Sequence, residues 1–333
     1  MLSAKKLLTS QALLRGVFFC LLLSFSSCNK EKRETPDWPS ASNTEQSPPS
    51  TAKSPQASIK LDGEETVLMV YNLRNYLSMP RGSADRKSVQ PKPEHEIDAL
   101  VENILRVSPH LLGVCEIGST SDLKDLQRRL SQAGLDYPHS HFTSGSDHRR
   151  RLAILSQYPI HPQPEIDLSY QLGGKKHLML RGILDVNVSL PTGSVRLLGV
   201  HLKSKRPSKY WDQALVRRHE AQVVRNHVES ILKQSTDRLL VYGDFNDTKQ
   251  SPTIRCIKGN QSRSTDLRAI DFRASDGSKW THAWDYEDVY SRFDYVFSSR
   301  SMLKHVVSEK CYILDLKAED PASDHRPLVL TFR

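Results

Sequence analysis

The sequence predicts an α/β fold in which mixed β-sheets are covered by helices. Short apolar runs typical of buried strands recur along the chain, and several follow one another closely enough to form hairpins. Longer stretches between them carry apolar residues at the spacing of an amphipathic helix. The chain has 333 residues, of which 38% are hydrophobic, so it can bury a sizeable core, and no internal repeat is visible.

The first half of the chain contains both strand and helix patterns. Thr66–Asn72 is an apolar run that predicts a strand ending in asparagine, and Leu111–Glu116 predicts a second strand ending in glutamate. Residues 94–107 have apolar side chains at helical spacing, and a further helix is predicted over residues 121–133, with Ser121 as its N-cap. Two more strands are predicted at Arg151–Ser156 and Leu178–Leu190.

The second half continues this mixture. Val195–Val200 predicts a strand that leads into His201, and residues 214–232 predict a long amphipathic helix. The apolar run Leu239–Tyr242 predicts the next buried strand. The last two strands are predicted at Arg292–Phe297 and Leu328–Phe332.

The N-terminus has the pattern of a targeting signal. Residues 1–28 begin with positive charges and continue into an apolar stretch, residues 17–25, that is too short to span a bilayer comfortably. Small residues then precede Cys28, a pattern that resembles a bacterial lipoprotein signal. An ordinary secretory signal and an uncleaved anchor are the alternatives. We therefore expect a protein of the bacterial cell envelope, secreted across the inner membrane and lipid-anchored at Cys28.

Residues 29–60 are predicted to be a flexible linker. They are rich in Ser, Pro, Thr, Lys and Glu and have almost no large apolar side chains, so they cannot bury enough surface to fold. Residues 61–333 are therefore predicted to form the folded domain. The formal net charge of the chain is +9 at pH 7, which favours anionic partners such as nucleic acid or phospholipid headgroups.

The cysteines outside the signal give little support for a cross-linked fold. Cys115, Cys256 and Cys311 are an odd number without the Cys-x-x-Cys spacing, which argues against both a disulfide framework and a zinc cluster. A bridge between Cys256 and Cys311 stays open at the level of sequence.

The stretch Gly243–Asp247 follows a predicted buried strand and carries the first candidate for chemistry. If the extended path continues, Asp244 and Asn246 point to the same face. The carboxylate can hold a hard cation or a water molecule, and the amide can donate to a phosphoryl oxygen. The alternative is an ordinary Asp/Asn turn after a strand.

Polar residues recur at the ends of the predicted strands. Each has a structural explanation of its own, because Asn and Asp form turns and a lone Glu is usually solvated. Strand ends that meet in a sheet form the rim of a cleft, so the ordered set predicts a site there. Its members are Asn72, Glu116, His201, Asp244 with Asn246, and Asp324 with His325.

At these positions the sequence resembles the endonuclease/exonuclease/phosphatase superfamily, the DNase I-like hydrolases, over about residues 66–333. The resemblance implies a four-layer sandwich of two mixed β-sheets flanked by helices, and divalent-metal-dependent hydrolysis of phosphoester bonds. It rests on the ordered motifs Tyr71-Asn72, Cys115-Glu116, Gly199-Val200-His201-Leu202, Gly243-Asp244-Phe245-Asn246, Arg292-Phe293-Asp294-Tyr295 and Ser323-Asp324-His325-Arg326-Pro327.

The resemblance also implies roles for individual residues. Glu116 is expected to be the main Mg²⁺ ligand, helped by Asn72 and Asp324, with Mn²⁺ or Ca²⁺ as alternative cations. The expected catalytic residues are Asp244 and Asn246, which orient water and phosphate, His201 and His325, and Asp294, which orients His325.

The chain departs from the family pattern at two places, with Cys115 where Gln is common and Phe293 where Ile is common, and neither change removes a working group. The presence of His201 is closer to the DNase I, sphingomyelinase and inositol phosphatase side of the superfamily. Asp244 and His325 both stay candidates for the base that takes a proton from water.

Three functions are compatible with these residues. The first is a monomeric, metal-dependent phosphodiesterase, an endonuclease or exonuclease acting on nucleic acid. The second keeps the chemistry but acts on a phospholipid or inositol-phosphate headgroup, and an exposed apolar loop near the cleft would favour it. The third is a binding module without catalysis, which should have lost at least one working residue, and none is missing here.

Overall fold

Two mixed six-stranded β-sheets form the centre of the fold. This computed structural model describes residues 65–81, 88–143, 145–235 and 238–333, so the predicted signal and linker lie outside the described residues. The first sheet has the strand order β17-β18-β1-β4-β6-β5, and the second has the order β13-β16-β12-β11-β10-β7, with the bounds given below. The strands are β1 Thr66–Tyr76, β2 Met79–Pro80, β3 Val89–Gln90, β4 Leu111–Ile117, β5 His139–Thr143, β6 Arg151–Ser156, β7 Ile160–Pro162, β8 Ser169–Leu172, β9 Lys175–Leu178, β10 Ile183–Leu190, β11 Gly193–His201, β12 Leu239–Asp244, β13 Arg268–Ala269, β14 His282–Trp284, β15 Val289–Ser291, β16 Asp294–Ser298, β17 Tyr312–Ile313 and β18 Leu328–Phe332.

Five α-helices are present in the described part of the chain; α1 and α2 cover the outer face of the first sheet, and α3 and α4 cover that of the second. They are α1 Glu94–Val107, α2 Thr120–Gln132, α3 Gln213–Gln234, α4 Pro252–Lys258 and α5 Arg300–Leu303. Within each sheet one central pair is parallel, β1 with β4 and β11 with β12, and the other pairs are antiparallel. The carboxyl ends of the parallel strands therefore meet at one edge of each sheet.

Three groups of buried apolar side chains hold the layers together. One lies between α1, α2 and the first sheet, and includes Leu100 and Leu126. The second lies between the two sheets, where β1 contributes Leu68 and β10 contributes Val186. The third lies between the second sheet and helices α3 and α4. Helices, sheet, sheet and helices thus form four layers, which confirms the predicted sandwich.

The predicted strand over residues 178–190 is wrong at its start. β9 ends at Leu178, and β10 begins only at Ile183. Gly182 between them has a φ of 72°, a left-handed conformation that interrupts the extended path before β10. The alternation of apolar and polar residues is confirmed only over β10, where Leu184 and Val186 are buried between the sheets.

The N-cap of α2 is Ser119 rather than Ser121. The Ser119 side chain accepts a hydrogen bond from the backbone N–H of Asp122, and the Asp122 carboxylate accepts one from the backbone N–H of Ser119. This reciprocal capping box satisfies two N–H groups at once, which a cap at Ser121 would not do.

All three described cysteines are free, so Cys256 and Cys311 do not form a bridge. The described helices also include none whose length and apolar character would allow it to cross a membrane.

The carboxylate of Asp185 links helix α3 to the second sheet through polar contacts. Asp185 of β10 accepts hydrogen bonds from Nε and Nη2 of Arg196 at 2.9 and 2.8 Å, and its Oδ2 lies 2.7 Å from Nε2 of His227 on α3. Although burial favours the neutral acid, the hydrogen bonds from His227 and Arg196 hold the pKa of Asp185 below its usual range.

We expect Asp185→Ala to lower the free energy of unfolding by about 3–5 kcal/mol near neutral pH, because it leaves the Arg196 guanidinium and the buried His227 side chain without their acceptor. Since the folded pKa is depressed, the stabilisation is complete above the unfolded pKa of about 4 and is lost as the pH falls through the folded pKa. Urea unfolding of both proteins at neutral and at acid pH measures the difference.

Asp167→Ala is the matched control, because Asp167 is exposed and bonds only to the neighbouring Ser169. A deficit for Asp185→Ala that stays constant down to the most acid pH would contradict the assignment of Asp185 as the stabilising anion.

Candidate active site

Three candidate residues lie side by side across the second sheet. His201 at the end of β11 is the register partner of Asp244 at the end of β12. Asp244 is in turn the register partner of Asp294 at the start of β16. Residues opposite one another on neighbouring strands lie within side-chain reach, so the strand pairing itself assembles these three groups.

The first sheet contributes two more candidates at the same edge. Asn72 of β1 is opposite Cys115 of β4, and Glu116 follows Cys115. The Asn72 side chain crosses to the second sheet, where its amide donates to Oδ2 of Asp244 at 3.1 Å and lies 3.5 Å from Nε2 of His325. The amide oxygen of Asn72 accepts the backbone N–H of Arg74. The two sheets are thus joined at the site by a hydrogen bond.

An irregularity in β4 directs Glu116 toward the site. Glu116 has a φ of 65°, and the pairing of β4 with β6 shifts register between Cys115 and Ile117. A bulge of this kind re-aims one side chain in a strand. The Glu116 carboxylate accepts the backbone N–H of Asn75 at 2.9 Å, and its other oxygen lies 3.8 Å from Nε2 of His201.

The turn after β12 differs from the expected extended path. β12 ends at Asp244, and Asn246 has a φ of 50°. Gly243 is required because its φ is 133° and a Cβ there would lie 1.9 Å from the carbonyl oxygen of Val200. The two side chains still meet, because the turn brings the Asn246 amide to 3.0 Å from Oδ2 of Asp244.

Asn246 has a different contact pattern from the one expected. Its amide nitrogen donates to Asp244 and to the carbonyl oxygen of Leu202, and its backbone N–H donates to Oδ1 of Asp244 at 2.8 Å. Both amide hydrogens therefore have protein acceptors in this arrangement. Asn246 holds the Asp244 carboxylate in place, together with Asn72.

His325 is held by Asp294 beneath the cleft. Nδ1 of His325 lies 2.8 Å from Oδ2 of Asp294, and Nε2 lies 3.8 Å from Oδ2 of Asp244. Although burial favours the neutral imidazole, the carboxylates of Asp294, Asp244 and Asp324 raise the pKa of His325 to about 10. The raised pKa favours the imidazolium form of His325, whose Nε2 lies nearest to Asn72 and Asp244.

His201 is in the opposite state. It is only 2% exposed, and burial, together with the positive charges of Arg181 and His325, holds the pKa of His201 well below its usual range. Its Nε2 lies 3.5 Å from Oδ2 of Asp244, and its Nδ1 has no hydrogen-bond partner in the described part of the chain. The environments of the two histidines thus shift their pKa values in opposite directions. Such a pair allows one histidine to act as an acid while the other stays neutral.

Asp324 lies at the rim rather than at the centre. Its side chain is 34% exposed, and its Oδ2 lies 3.8 Å from Nε of Arg74 and 3.9 Å from Nε2 of His282.

Burial and the nearby charge of Asp324 raise the pKa of Glu116. Burial likewise raises the pKa of Asp244, an effect that the His325 charge opposes.

Several residues at the site carried no clear signal in the sequence. His282, in the short strand β14, stacks its ring edge-on against His325 with ring centroids 4.7 Å apart. Arg150 belongs to a run of basic residues in the loop before β6, and its side chain is 27% exposed. Its Nε donates to the side chain of Asn75 at 2.7 Å, and its charge lowers the pKa of Glu116 against the effect of burial.

Arg181 is a further buried arginine whose charge acts on the site. Its side chain is 7% exposed, and its Nε and Nη1 are buried and make no hydrogen bond within the described residues. The nearest carboxylate is Asp147, at 3.5 Å from Nε. Because its charge acts on both Glu116 and His201, Arg181 borders the cleft and is a candidate to contact an anionic substrate.

Helix α3 fixes the two loops on either side of His201. The buried carboxylate of Glu220 accepts the backbone N–H of Leu180 at 3.2 Å and that of Lys203 at 2.7 Å. One turn earlier, Arg217 donates to the carbonyl oxygen of Lys203 at 3.0 Å and to the carboxylate of Asp247 at 3.1 Å. Both backbone groups of Lys203 are therefore held by α3, so the helix positions the residues that follow His201.

We expect Glu220→Gln to lower kcat/KM about 10–100-fold with an unchanged circular dichroism spectrum, because one hydrogen bond from an N–H to a charged group contributes about 1.5–3 kcal/mol. Glu102→Gln is the matched control, since Glu102 is an exposed glutamate on helix α1. A Glu220→Gln protein that melts at a lower temperature yet turns over at the normal rate would limit Glu220 to a structural role.

The residues at this edge fit a hard divalent cation held in part by water and substrate. The described residues contain no group of three or more His, Cys, Asp and Glu side chains placed to hold a metal alone. Glu116 presents one carboxylate beside the charge of Asp324, and a cation would relieve the repulsion that raises the pKa of Glu116. Mg²⁺ is bound in this way by one or two carboxylates, waters and substrate oxygens.

Fold and site together define a DNase I-like α/β sandwich with a polar cleft at the strand ends. The model of the Endonuclease/Exonuclease/phosphatase family matches residues 69–325. The chain therefore belongs to this family, whose members are typically hydrolases of phosphoester bonds, include nucleases and phosphatases, and generally use divalent metals.

Solved structures with the same fold are distant in sequence. The catalytic domain of human Nocturnin with bound sulfate is 18% identical with a TM-score of 0.55, covering 81% of this chain and 94% of that one. A truncated TDP2 from Caenorhabditis elegans is 17% identical with a TM-score of 0.55, covering 81% and 99%. An endonuclease/exonuclease/phosphatase from Bacteroides vulgatus is 14% identical with a TM-score of 0.57, covering 81% and 98%.

At these identities the likeness supports the fold alone. A search of curated protein sequences found no match.

Proposed function

We propose that this chain is a divalent-metal-dependent phosphodiesterase that acts on nucleic acid. The observation that carries the proposal is the constellation at the strand ends, where the imidazolium of His325 lies beside the carboxylate of Asp244 and opposite Glu116. Hydrolysis of a phosphodiester needs an activated water, neutralisation of phosphate charge and protonation of the leaving oxygen, and these groups can meet each need.

His325 is assigned as the general acid. Because its pKa is raised to about 10, it holds a proton at neutral pH and can give it from Nε2 to the departing oxygen. Asp294, bonded to Nδ1, fixes the ring and stabilises its charge.

Asp244 is assigned as the general base. Burial raises its pKa toward neutrality, which suits a group that must first take a proton from water and then release it. Asn72 and Asn246 donate to the same oxygen, Oδ2, and hold the carboxylate in one orientation. His201, which is neutral, presents Nε2 between Asp244 and Glu116 and can contact a phosphoryl oxygen.

Glu116 would be the principal ligand of the cation, with Asp324 and Asn72 as further candidates. The bound cation, Mg²⁺ or alternatively Mn²⁺ or Ca²⁺, would supply neutralisation of phosphate charge. Arg150 and Arg181 add fixed positive charge on the same side of the cleft as Glu116, since both lower its pKa.

The substrate assignment follows from charge. The full chain carries a net charge of +9, and removal of residues 1–28, which hold three positive charges and no negative ones, leaves +6. Lys203, Lys205 and Arg206 follow His201 within five residues. Positive charge beside a phosphodiester site favours a polyanion. Incubating the purified protein with plasmid DNA and with RNA tests this, with Mg²⁺, Mn²⁺ or Ca²⁺ and with a chelator. Intact nucleic acid under every metal condition would reject the nuclease assignment.

One observation favours a lipid headgroup as the second candidate substrate. The hairpin formed by β14 and β15 exposes Trp284, which is 52% exposed, and Tyr286, which is 86% exposed. Both line an open pocket of about 470 Å³ that also includes Asp324 and Arg74. Exposed aromatic side chains beside a cleft suit the interface of a membrane. Release of soluble headgroup from liposomes, without cleavage of nucleic acid, would support this second candidate.

The lipid anchor at Cys28, the cell-envelope location and the monomeric state are part of the same proposal. The N-terminal sequence pattern and composition support the anchor and the location. The binding module without catalysis has no support from the site, because every candidate residue is present.

A further inference from the structure

A basic groove lies between α3 and α4, away from the strand ends that form the candidate active site. Its volume is about 710 Å³, and it is lined by Arg218 and Gln222 of α3, by Arg255 and Lys258 of α4, and by residues up to Gln261. Three lining side chains are cationic, and none of the described lining residues is a carboxylate. Neither Arg218 nor Lys258 forms an ion pair within the described part of the chain.

Two further guanidinium groups stand at the far end of this groove. Arg268 donates to the side chain and to the backbone carbonyl of Gln261, the second contact at 2.9 Å. Arg300 lies 3.4 Å from the same carbonyl oxygen. Because Gln261 lines the groove, Arg268 and Arg300 extend the row of positive charge in the groove from α3 past the end of α4.

The acidic residues nearest to this row are already neutralised. Arg225 contacts Glu229 at 3.0 Å and Asp266 at 3.2 Å, and Lys233 contacts Glu229 at 3.4 Å. The positive charge of the groove is therefore not balanced by these neighbours, and an external anion would be attracted to it.

One loop joins the groove to the candidate active site. Asn246 and Asp247 are buried at its start, whereas Lys249 is exposed in its middle. At its end, Arg255 donates to the carbonyl oxygen of Gln250. An anion chain that leaves the cleft past Asn246 therefore meets Lys249 first and the groove next.

We propose that this groove is a second binding site for the sugar–phosphate backbone of a nucleic-acid strand whose reacting phosphate lies at the candidate active site. This inference rests on the proposed function and names where its substrate binds beyond the cleft. Cations that face a flexible polyanion bind phosphates without reading sequence. A nucleic-acid strand suits the groove better than a membrane does, because the lining residues include no aromatic or large aliphatic side chain that could enter a bilayer.

The test uses the full chain with the double substitution Arg218→Glu and Lys258→Glu. A matched control, Lys124→Glu with Lys317→Glu, makes the same change in net charge at exposed positions outside the groove. Binding is measured by fluorescence anisotropy with a labelled DNA strand long enough to span both sites. Activity is measured with the same strand and with bis(p-nitrophenyl) phosphate, which is too small to reach the groove.

We expect the groove variant to bind the long strand about 10–100-fold more weakly than the control variant, with unchanged hydrolysis of the small diester. Its log Kd should also depend less steeply on log salt, by about one unit for each lost phosphate contact. Equal binding of the long strand by the groove and control variants would overturn the proposal.

The outcomes separate this inference from the proposed function. Loss of strand binding in the groove variant supports the groove even if the wild-type protein hydrolyses neither substrate, a result that would reject the phosphodiesterase alone. Hydrolysis of the small diester with no difference in strand binding keeps the phosphodiesterase and rejects the groove. If the groove variant loses binding to phosphatidylglycerol vesicles while strand binding is unchanged, the groove binds an anionic membrane and the nucleic-acid assignment is wrong.

Discussion

Replacing His325 should lower kcat for phosphodiester hydrolysis by about 10²–10⁴-fold, the usual contribution of a proton-transfer group. Nε2 of His325 lies 3.8 Å from Oδ2 of Asp244, and Asp294 holds the ring through Nδ1. His325→Gln is the preferred variant because alanine would leave the buried carboxylate of Asp294 without a partner. Initial rates at saturating metal and substrate measure the effect.

Two controls accompany this experiment. His161→Ala removes a surface histidine that lies 3.0 Å from Ser189 and should leave the rate unchanged. Asp294→Asn keeps the shape of the side chain and removes the charge that raises the pKa of His325. Like His325→Gln, it should therefore lower kcat. A His325→Gln protein with a native circular dichroism spectrum and a normal rate would make His325 structural.

Glu116→Gln should raise the Mg²⁺ concentration needed for half-maximal rate by about 10–100-fold or more, since changes even in the residues that support a metal ligand have effects of this size. Excess Mg²⁺ should restore part of the rate, because the amide retains one oxygen. Rate against Mg²⁺ concentration, measured for the wild type and the variant, gives the shift.

Asp324→Asn is the variant to compare with Glu116→Gln. Asp324 is one-third exposed and contacts Arg74 and His282, so it should shift the metal dependence less than Glu116→Gln does. If the two variants have equal effects, Asp324 is as much a ligand as Glu116. If Glu116→Gln has the wild-type metal dependence, Glu116 does not bind the cation.

The parts of the fold that follow from residue periodicity were predictable. The apolar spacing of residues 94–107 predicts a helix, and α1 spans Glu94–Val107. Strands β6 and β18 also have their predicted bounds, because each is a continuous apolar run. The meeting of polar side chains at one edge was also predictable, because neighbouring parallel strands place their carboxyl ends at the same edge of a sheet.

The parts that depend on backbone conformation at single residues were not predictable. Glu116 has a positive φ although it is not glycine, and no local pattern indicates the bulge that turns its side chain. Asn246 reaches Asp244 through a left-handed turn, so the expected contact is present for a different reason. The strand over residues 178–190 is interrupted because Gly182 adopts a left-handed conformation within an otherwise alternating run.

Charge states and long-range contacts were also beyond the sequence. Two histidines with the same intrinsic pKa become one imidazolium and one neutral ring, because Asp294 contacts His325 whereas His201 is buried close to the positive charge of Arg181. Arg150 lies in a run of basic residues that looks solvated, and only its contact with Asn75 brings it to the site. These effects depend on residues far apart in the chain.

The most direct test of the central claim is the rate of bis(p-nitrophenyl) phosphate hydrolysis by the purified protein, with Mg²⁺, with chelator, and after Mg²⁺ is restored. We expect hydrolysis with Mg²⁺, loss of the rate in chelator, recovery on addition of the cation, and no comparable rate for His325→Gln under any of these conditions. An equal rate in chelator, or no hydrolysis with Mg²⁺, Mn²⁺ or Ca²⁺, would contradict the assignment of a metal-dependent phosphodiesterase.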